Sequence, residues 1–172
     1  MGWSTDAINK VRDILEAAIV SGQPLDFVGQ VHYGPLTQNT TLDLPYLWLY
    51  TDTPAISSPQ KWVGIQNRKE SVLNLIVETA YEYPEPDQLT GNGAVTRYPF
   101  GKTGDTGNRG IMNIAEDIMN IIEGQFAAIK ATNDKIMDIH VFCKAISPMA
   151  AERTCGAQVG IEILGRFVAG GR

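Results

Sequence analysis

Pro45-Tyr46-Leu47-Trp48-Leu49-Tyr50-Thr51 is the stretch that decides the fold. Side chains on a strand alternate between faces, so Tyr46, Trp48 and Tyr50 point one way and Leu47 and Leu49 the other. Neither side is polar, so this strand needs cover on both. The face with three aromatics requires a helix, a second sheet or another subunit against it.

The same alternation recurs downstream. Pro54 and Pro59 are expected to break the chain before a second strand at 61–68, carrying Trp62, Val63 and Ile65. A third strand is expected at 70–83, with Leu73, Leu75, Val77, Thr79, Tyr81 and Tyr83 on one face and Glu78 and Glu82 turned outward. Two more follow near the end. In the strand at 135–146, Met137, Ile139, Val141, Cys143 and Ala145 face inward. In the strand at 155–168, Ala157, Val159, Ile161, Ile163 and Phe167 alternate with Gln158, Glu162 and Arg166.

Two segments carry the helical period instead. Over 5–20, Ile8, Val11, Leu15, Ala18 and Ile19 make one stripe, capped by Ser4 or Thr5, with Asp6 in the first turn and Gly22 and Pro24 as the stop. From near Gly110, Ile111, Ile114, Ile118, Ile121 and Ile122 make another. That second helix is read as running past Gly124 to about Ala131, burying Phe126 and Ile129. The alternative is a stop at Gly124 and a short strand. Residues 26–33 are read as a short strand and 34–44 as loop. The helices are too few for repeated crossovers. The fold class is therefore α+β, a mostly antiparallel sheet with two helices packed on one face.

One segment fits neither period. Pro84–Gly110 contains Pro86, Gly91, Gly93, Pro99, Gly101, Gly104 and Gly107 among polar residues. So long a connection within a compact unit is usually either functional or disordered until a partner orders it. Arg97, Tyr98, Phe100, Lys102 and Arg109 mix aromatic and cationic groups as contact surfaces do, while Glu85, Asp87 and Asp105 bring the segment close to neutrality. The reading is a protruding arm, at about 84–109, that contacts another protein.

Catalytic constellations are not apparent. Gly101-Lys102-Thr103 resembles the end of a phosphate-binding loop, but position 96 is Thr96 where that motif needs glycine, and the next helix starts too late. What is left of that reading is an anion at the start of the second helix, held by Arg109 and the amides from Gly110 onward. His32 and His140 are far apart in the chain, and His140 and Cys143 fall on opposite faces of one strand, so neither nucleophilic nor metal chemistry is expected. Glu78 and Glu162 are read as solvated or paired with basic neighbours. Cys143 and Cys155 are read as reduced, half-buried thiols, with a disulfide across neighbouring strands as the alternative.

With 172 residues the chain has length enough for a full core in one domain spanning 1–172. A net charge of -5 argues against a standing grip on nucleic acid, though it suits a wall that DNA slides past. No apolar run reaches the roughly 20 residues of a membrane span, and the first residues lack a signal-peptide pattern. Synthesis in the cytoplasm and no membrane association are expected. Met1-Gly2 with Asp6 at the sixth position does not fit a myristoylation start, and Asn39-Thr40-Thr41 carries no meaning without secretion.

The amphipathic first helix leads into the aromatic strand and then a strand ending in Val77-Glu78-Thr79-Ala80-Tyr81. A long insertion follows, then the helix Ile118-Met119-Asn120-Ile121-Ile122-Glu123-Gly124 and a hairpin ending in Gly160-Ile161-Glu162-Ile163. In element order and length, over nearly the whole chain, this resembles the tail terminator (tail completion) proteins of tailed bacteriophages. The resemblance implies a non-enzymatic virion subunit without a cofactor. Such a subunit forms a ring, commonly a hexamer, on the last ring of the tail tube, ends tube growth and meets the neck or head connector, with DNA only passing through the lumen. Two alternatives stand beside it. One is another neck subunit, of head-completion or adaptor type. The other is a small nucleotide-binding α+β enzyme with its site around Lys102 and Arg109. From the residues themselves, Tyr46, Trp48, Tyr50, Arg97, Tyr98, Phe100, Lys102 and Arg109 are the expected contact residues.

Overall fold

The computed structural model describes residues 2–35, 42–57, 68–82, 111–149 and 154–168. In chain order these form α1 (Trp3–Ala18), β1 (Val31–Tyr33), β2 (Tyr46–Ser57), β3 (Arg68–Glu82), α2 (Ile111–Gly124), α3 (Phe126–Lys130), β4 (Ile136–Met149) and β5 (Thr154–Val168). The strands make one five-stranded sheet of order β1-β2-β3-β5-β4. β1 runs parallel to β2, and every other pairing is antiparallel. The class is α+β, with a mixed, mostly antiparallel sheet.

The centre of the sheet is the β3–β5 ladder, continuous from Arg68↔Val168 to Glu82↔Thr154. Leu73, Leu75 and Val77 lie opposite Ile163, Ile161 and Val159, and all six are buried. Leu47 and Leu49 of β2 and Ile136 and Val141 of β4 extend this apolar face. Onto it pack Ala7, Val11, Ile14, Leu15 and Ala18 of α1, Ile114, Ala115, Ile118 and Ile122 of α2, and Ile129 of α3. Each fully buried leucine or isoleucine contributes roughly 1.5–3 kcal/mol, so this one cluster carries most of the stability.

α1 begins earlier than its stripe predicts. Its N-cap is Gly2, without a side-chain cap, and neither Ser4 nor Thr5 serves. The cause is Trp3, which is buried with its indole against Gly165 of β5 and draws the first turn down to the sheet. The Asp6 carboxylate accepts a hydrogen bond from Asn133 Nδ2 at 2.8 Å, tying α1 to the turn before β4. At the far end, Leu25 N–H donates to the Ala18 carbonyl and Gly22 N–H to Asp26 Oδ2. Those bonds hold 20–27 as turns, so of the expected strand at 26–33 only β1 forms. Tyr33 Oη donates to Glu16 Oε1 at 2.8 Å, and the Arg12 guanidinium lies 5.8 Å from its ring centre, fixing β1 to α1.

Pro54 does not end the strand. β2 continues to Ser57 because the ladder to β3 shifts between Thr51 and Ile56, and in that bulge a missing N–H costs no pairing. Asn74 Nδ2 bridges the gap by donating to the Pro54 carbonyl at 2.8 Å and to Ser57 Oγ at 3.1 Å. The expected strand at 61–68 lies outside the described residues except for its last position, Arg68.

The second helix both stops at Gly124 and resumes. Gln125 N–H bonds three residues back to Ile122 O, a tightening that closes α2, and Ile129 N–H then bonds Gln125 O to start α3. The reset lets Ile129 reach the core, while Phe126 is half-buried.

β4 departs from simple alternation. Its ladder shifts between Ile136 and Asp138 and again between Cys143 and Ala145. Ile136 is therefore buried and Met137 only half-buried, while the second shift sets Ala145 opposite Gln158 on the other face and Ile146 packs on the core instead; Cys143 keeps the expected side, opposite Val159, but is exposed on this edge strand. Cys143 is a free thiol opposite Val159, whereas Cys155 lies opposite Pro148. Four strand positions along β5 amount to about 13 Å, well beyond the roughly 7 Å that a disulfide tolerates between Cα atoms. The alternative of a cross-strand disulfide is excluded, and Cys143 is not half-buried.

Candidate functional site

All three helices pack on the face of Leu47, Val77 and Val159. The opposite face carries Tyr46, Trp48 and Tyr50 of β2, Ile76, Glu78 and Ala80 of β3, Gln158 and Gly160 of β5, and His140 and Phe142 of β4. Ile76 and Ala80 are buried, yet they are separate from the helix-covered core. Tyr46, Trp48, Tyr50, Glu78 and Gln158 are half-buried.

Glu78 organises this face. Its partners in register are Trp48 on one side and Gln158 on the other. Tyr46 Oη donates to Oε1 at 3.0 Å, Tyr50 Oη to Oε2 at 3.0 Å, and Gln158 Nε2 to Oε2 at 2.8 Å. Gln158 Nε2 also reaches Tyr50 Oη at 3.3 Å. All three groups donate to an acceptor-only carboxylate, so the cluster is built to hold an anion. No described lysine or arginine forms an ion pair with Glu78. The expectation of a solvated or cation-paired carboxylate is corrected for the described residues: Glu78 is half-buried among neutral donors. Glu162 is exposed as expected.

The environment shifts the tyrosines. Burial first, then the Glu78 charge and hydrogen bond, push the Tyr46 hydroxyl from 10.0 up to about 12. Burial and then Glu78 raise Tyr50 further. Both therefore remain neutral donors across the physiological range. The Trp48 and Tyr50 rings lie against each other at a tilt of 31°, centres 4.0 Å apart, and Trp48 Nε1 donates to the Gly34 carbonyl at 2.7 Å, which fixes the indole.

Two further contacts shape the face. Lys144 of β4 pairs with Asp52 of β2, although β3 and β5 lie between those strands. The pair therefore reaches across the outer face, and with the Thr53 amide it holds the Asp52 carboxyl below its usual value. Phe142, stacked on His140 at 5.2 Å, covers Gly160, where a Cβ would stand 2.5 Å from the ring.

Of the expected contact residues, Tyr46, Trp48 and Tyr50 come together here. Arg97, Tyr98, Phe100, Lys102 and Arg109 lie outside the described residues, as do Gly101-Lys102-Thr103 and the arm at 84–109. His32 is half-buried on β1 opposite Trp48, and His140 is exposed on β4. Among the described residues no group of His, Cys, Asp or Glu is placed to hold a metal ion, and no helix is long and apolar enough to cross a membrane. A groove of about 390 Å³ between the ends of α1 and α2, lined by Lys10, Asp13, Ile14, Asn120, Ile121 and Gln125 among others, offers no nucleophile paired with a base.

Sequence reasoning missed Glu78, Gln158 and the Asp52–Lys144 pair as parts of one surface. The only local signal was a glutamate amid apolar residues on a strand, and which tyrosines face it depends on cross-strand register. Comparison with family models and with curated proteins gives no match to this sequence.

Proposed function

We propose that this chain is a structural, non-enzymatic subunit that assembles with copies of itself into a ring, of the kind that closes a phage tail tube. The observation that supports the reading is the division of the sheet. One face is filled by α1, α2 and α3, and the other bears Tyr46, Trp48 and Tyr50 around the Glu78 carboxylate. Half-buried aromatics with locked hydroxyls lose little entropy on contact, which is why such residues dominate protein interfaces. The order of helices and strands around the 84–109 insertion supports it too.

In this reading the ring, commonly a hexamer, sits on the last ring of the tail tube, ends its polymerisation and presents a surface to the neck or head connector. It needs no cofactor and touches no membrane. DNA passes its lumen without being held, in keeping with the net charge of -5. The subunit is made in the host cytoplasm and ends in the virion.

The test is negative-stain imaging of the purified chain, alone and added to polymerising tail tube protein. Closed rings that arrest tube growth are expected. Rings that bind a head connector and leave tubes growing would assign the chain to another neck subunit. A chain that forms no ring overturns the reading.

A further inference from the structure

Both ends of the Asp52–Lys144 pair sit where a ladder slips. Asp52 falls in the shift of β2 between Thr51 and Ile56, and Lys144 falls in the shift of β4 between Cys143 and Ala145. With β3 and β5 between them, the two strands would lie roughly 14 Å apart in a flat sheet. The residues are offset lengthwise as well. Tyr50, Ile76, Gly160 and Phe142 form one row across the sheet, and Asp52 and Lys144 lie to opposite sides of it. A lysine and an aspartate meet over such a diagonal only if the sheet coils toward its outer face. Bulges supply that bend, because each one increases the local twist.

The pair therefore crosses an apolar row. Ile76 is buried although it stands apart from the helix-covered core, and Gly160 is buried against the Phe142 ring. At its β2 end the pair is braced: Asp52 Oδ1 accepts from the Thr53 amide at 2.8 Å, and Asn74 ties the same bulge through the Pro54 carbonyl. The other end stands on β4, the edge of the sheet among the described residues. Both side chains are about one-third exposed, at 36% and 34%, so salt screens their attraction and the closure is reversible.

We propose that Asp52 and Lys144 form a salt-sensitive strap that holds the sheet coiled over the Tyr50–Ile76–Gly160–Phe142 row, and that its release loosens both bulges and uncovers Ile76 and Phe142. The device belongs to a single copy of the chain and goes beyond the ring reading, which it does not require.

The test is hydrogen–deuterium exchange, read by peptide at low salt and at about 1 M sodium chloride, with conditions compared at equal solution mass. The chains are the wild type, Asp52→Asn, Lys144→Gln and the charge exchange Asp52→Lys with Lys144→Asp. At low salt the wild type and the charge exchange are expected to protect 50–57 and 140–147 about threefold better than either single variant. At high salt the wild type is expected to fall to the level of the single variants, which themselves do not respond. Equal protection in the wild type and the single variants at low salt overturns the proposal. So does a charge exchange that protects no better than they do. A loss spread evenly over β3 and β5 also overturns it, since the pair would then support the whole fold. The wild type decides the matter even without a variant: protection of these two segments that is indifferent to salt rules the strap out.

Discussion

The indole of Trp3 lies against Gly165: a Cβ on that glycine would stand 2.8 Å from Cε2 and Cζ2 of the ring. The first residue of α1 is thus docked on the closing strand, and the close approach exists only because β5 carries no side chain there. Gly165→Ala is expected to cost about 1–3 kcal/mol, the usual penalty for overpacking a filled site. Trp3→Ala is expected to cost about 3–5 kcal/mol. Because the two act on one contact, urea denaturation of the double variant should show a loss smaller than the sum.

Thr79 is the one polar side chain fully buried in the core of the described residues, and its Oγ1 has no hydrogen-bond partner among them. An unpaired buried hydroxyl costs roughly 1–3 kcal/mol. Thr79→Val keeps the shape and removes that cost. It should raise the melting temperature without changing the circular dichroism spectrum, whereas Thr79→Ser, which keeps the hydroxyl and loses a methyl, should lower it.

The outer face predicts an alkaline limit. Tyr46 and Tyr50 have raised pKa values in the folded chain, so the native state holds their protons more tightly than the unfolded state does. Their contribution is fully present below pH 10.0 and is lost as pH rises through about 12. The urea midpoint should therefore be insensitive to these groups at neutral pH and fall through that window. Tyrosinate absorbance in Glu78→Gln should show both groups ionising at lower pH, because the charge that opposes ionisation is gone. An unchanged titration would show that Glu78 does not govern them.

Cys143 and Cys155 should stay separate. Under oxidising conditions the folded chain is expected to form no internal crosslink, and Cys143, which is exposed, should react with a thiol reagent without denaturant. A monomer whose non-reducing mobility shifts on oxidation would contradict the β4–β5 register.

Much of the architecture was legible in the chain. The alternations in β3 and β5 placed Leu73, Leu75, Val77, Val159, Ile161 and Ile163 inward, and burial agrees. The stripes of α1 and α2 were legible for the same reason, that an apolar face of fixed period has one place to go. What escaped was set by partners distant in sequence. Trp3 moved the start of α1 because Gly165 offered it a seat. Pro54 stayed in β2 because a bulge absorbed it, and the second shift in β4 turned Ala145 to the other face and Ile146 inward. The candidate site was half legible. Period two put Tyr46, Trp48 and Tyr50 on one face, but only the register of β2 on β3 and of β3 on β5 brings Glu78 and Gln158 to them.

The most direct test of the central claim, that this outer face exists to bind copies of the same chain, is sedimentation velocity over a wide concentration range. One discrete species is predicted, at a whole-number multiple of 18.8 kDa, that dissociates when Trp48 is replaced by Ala although the subunit stays folded. A single monomeric boundary at every concentration would contradict it.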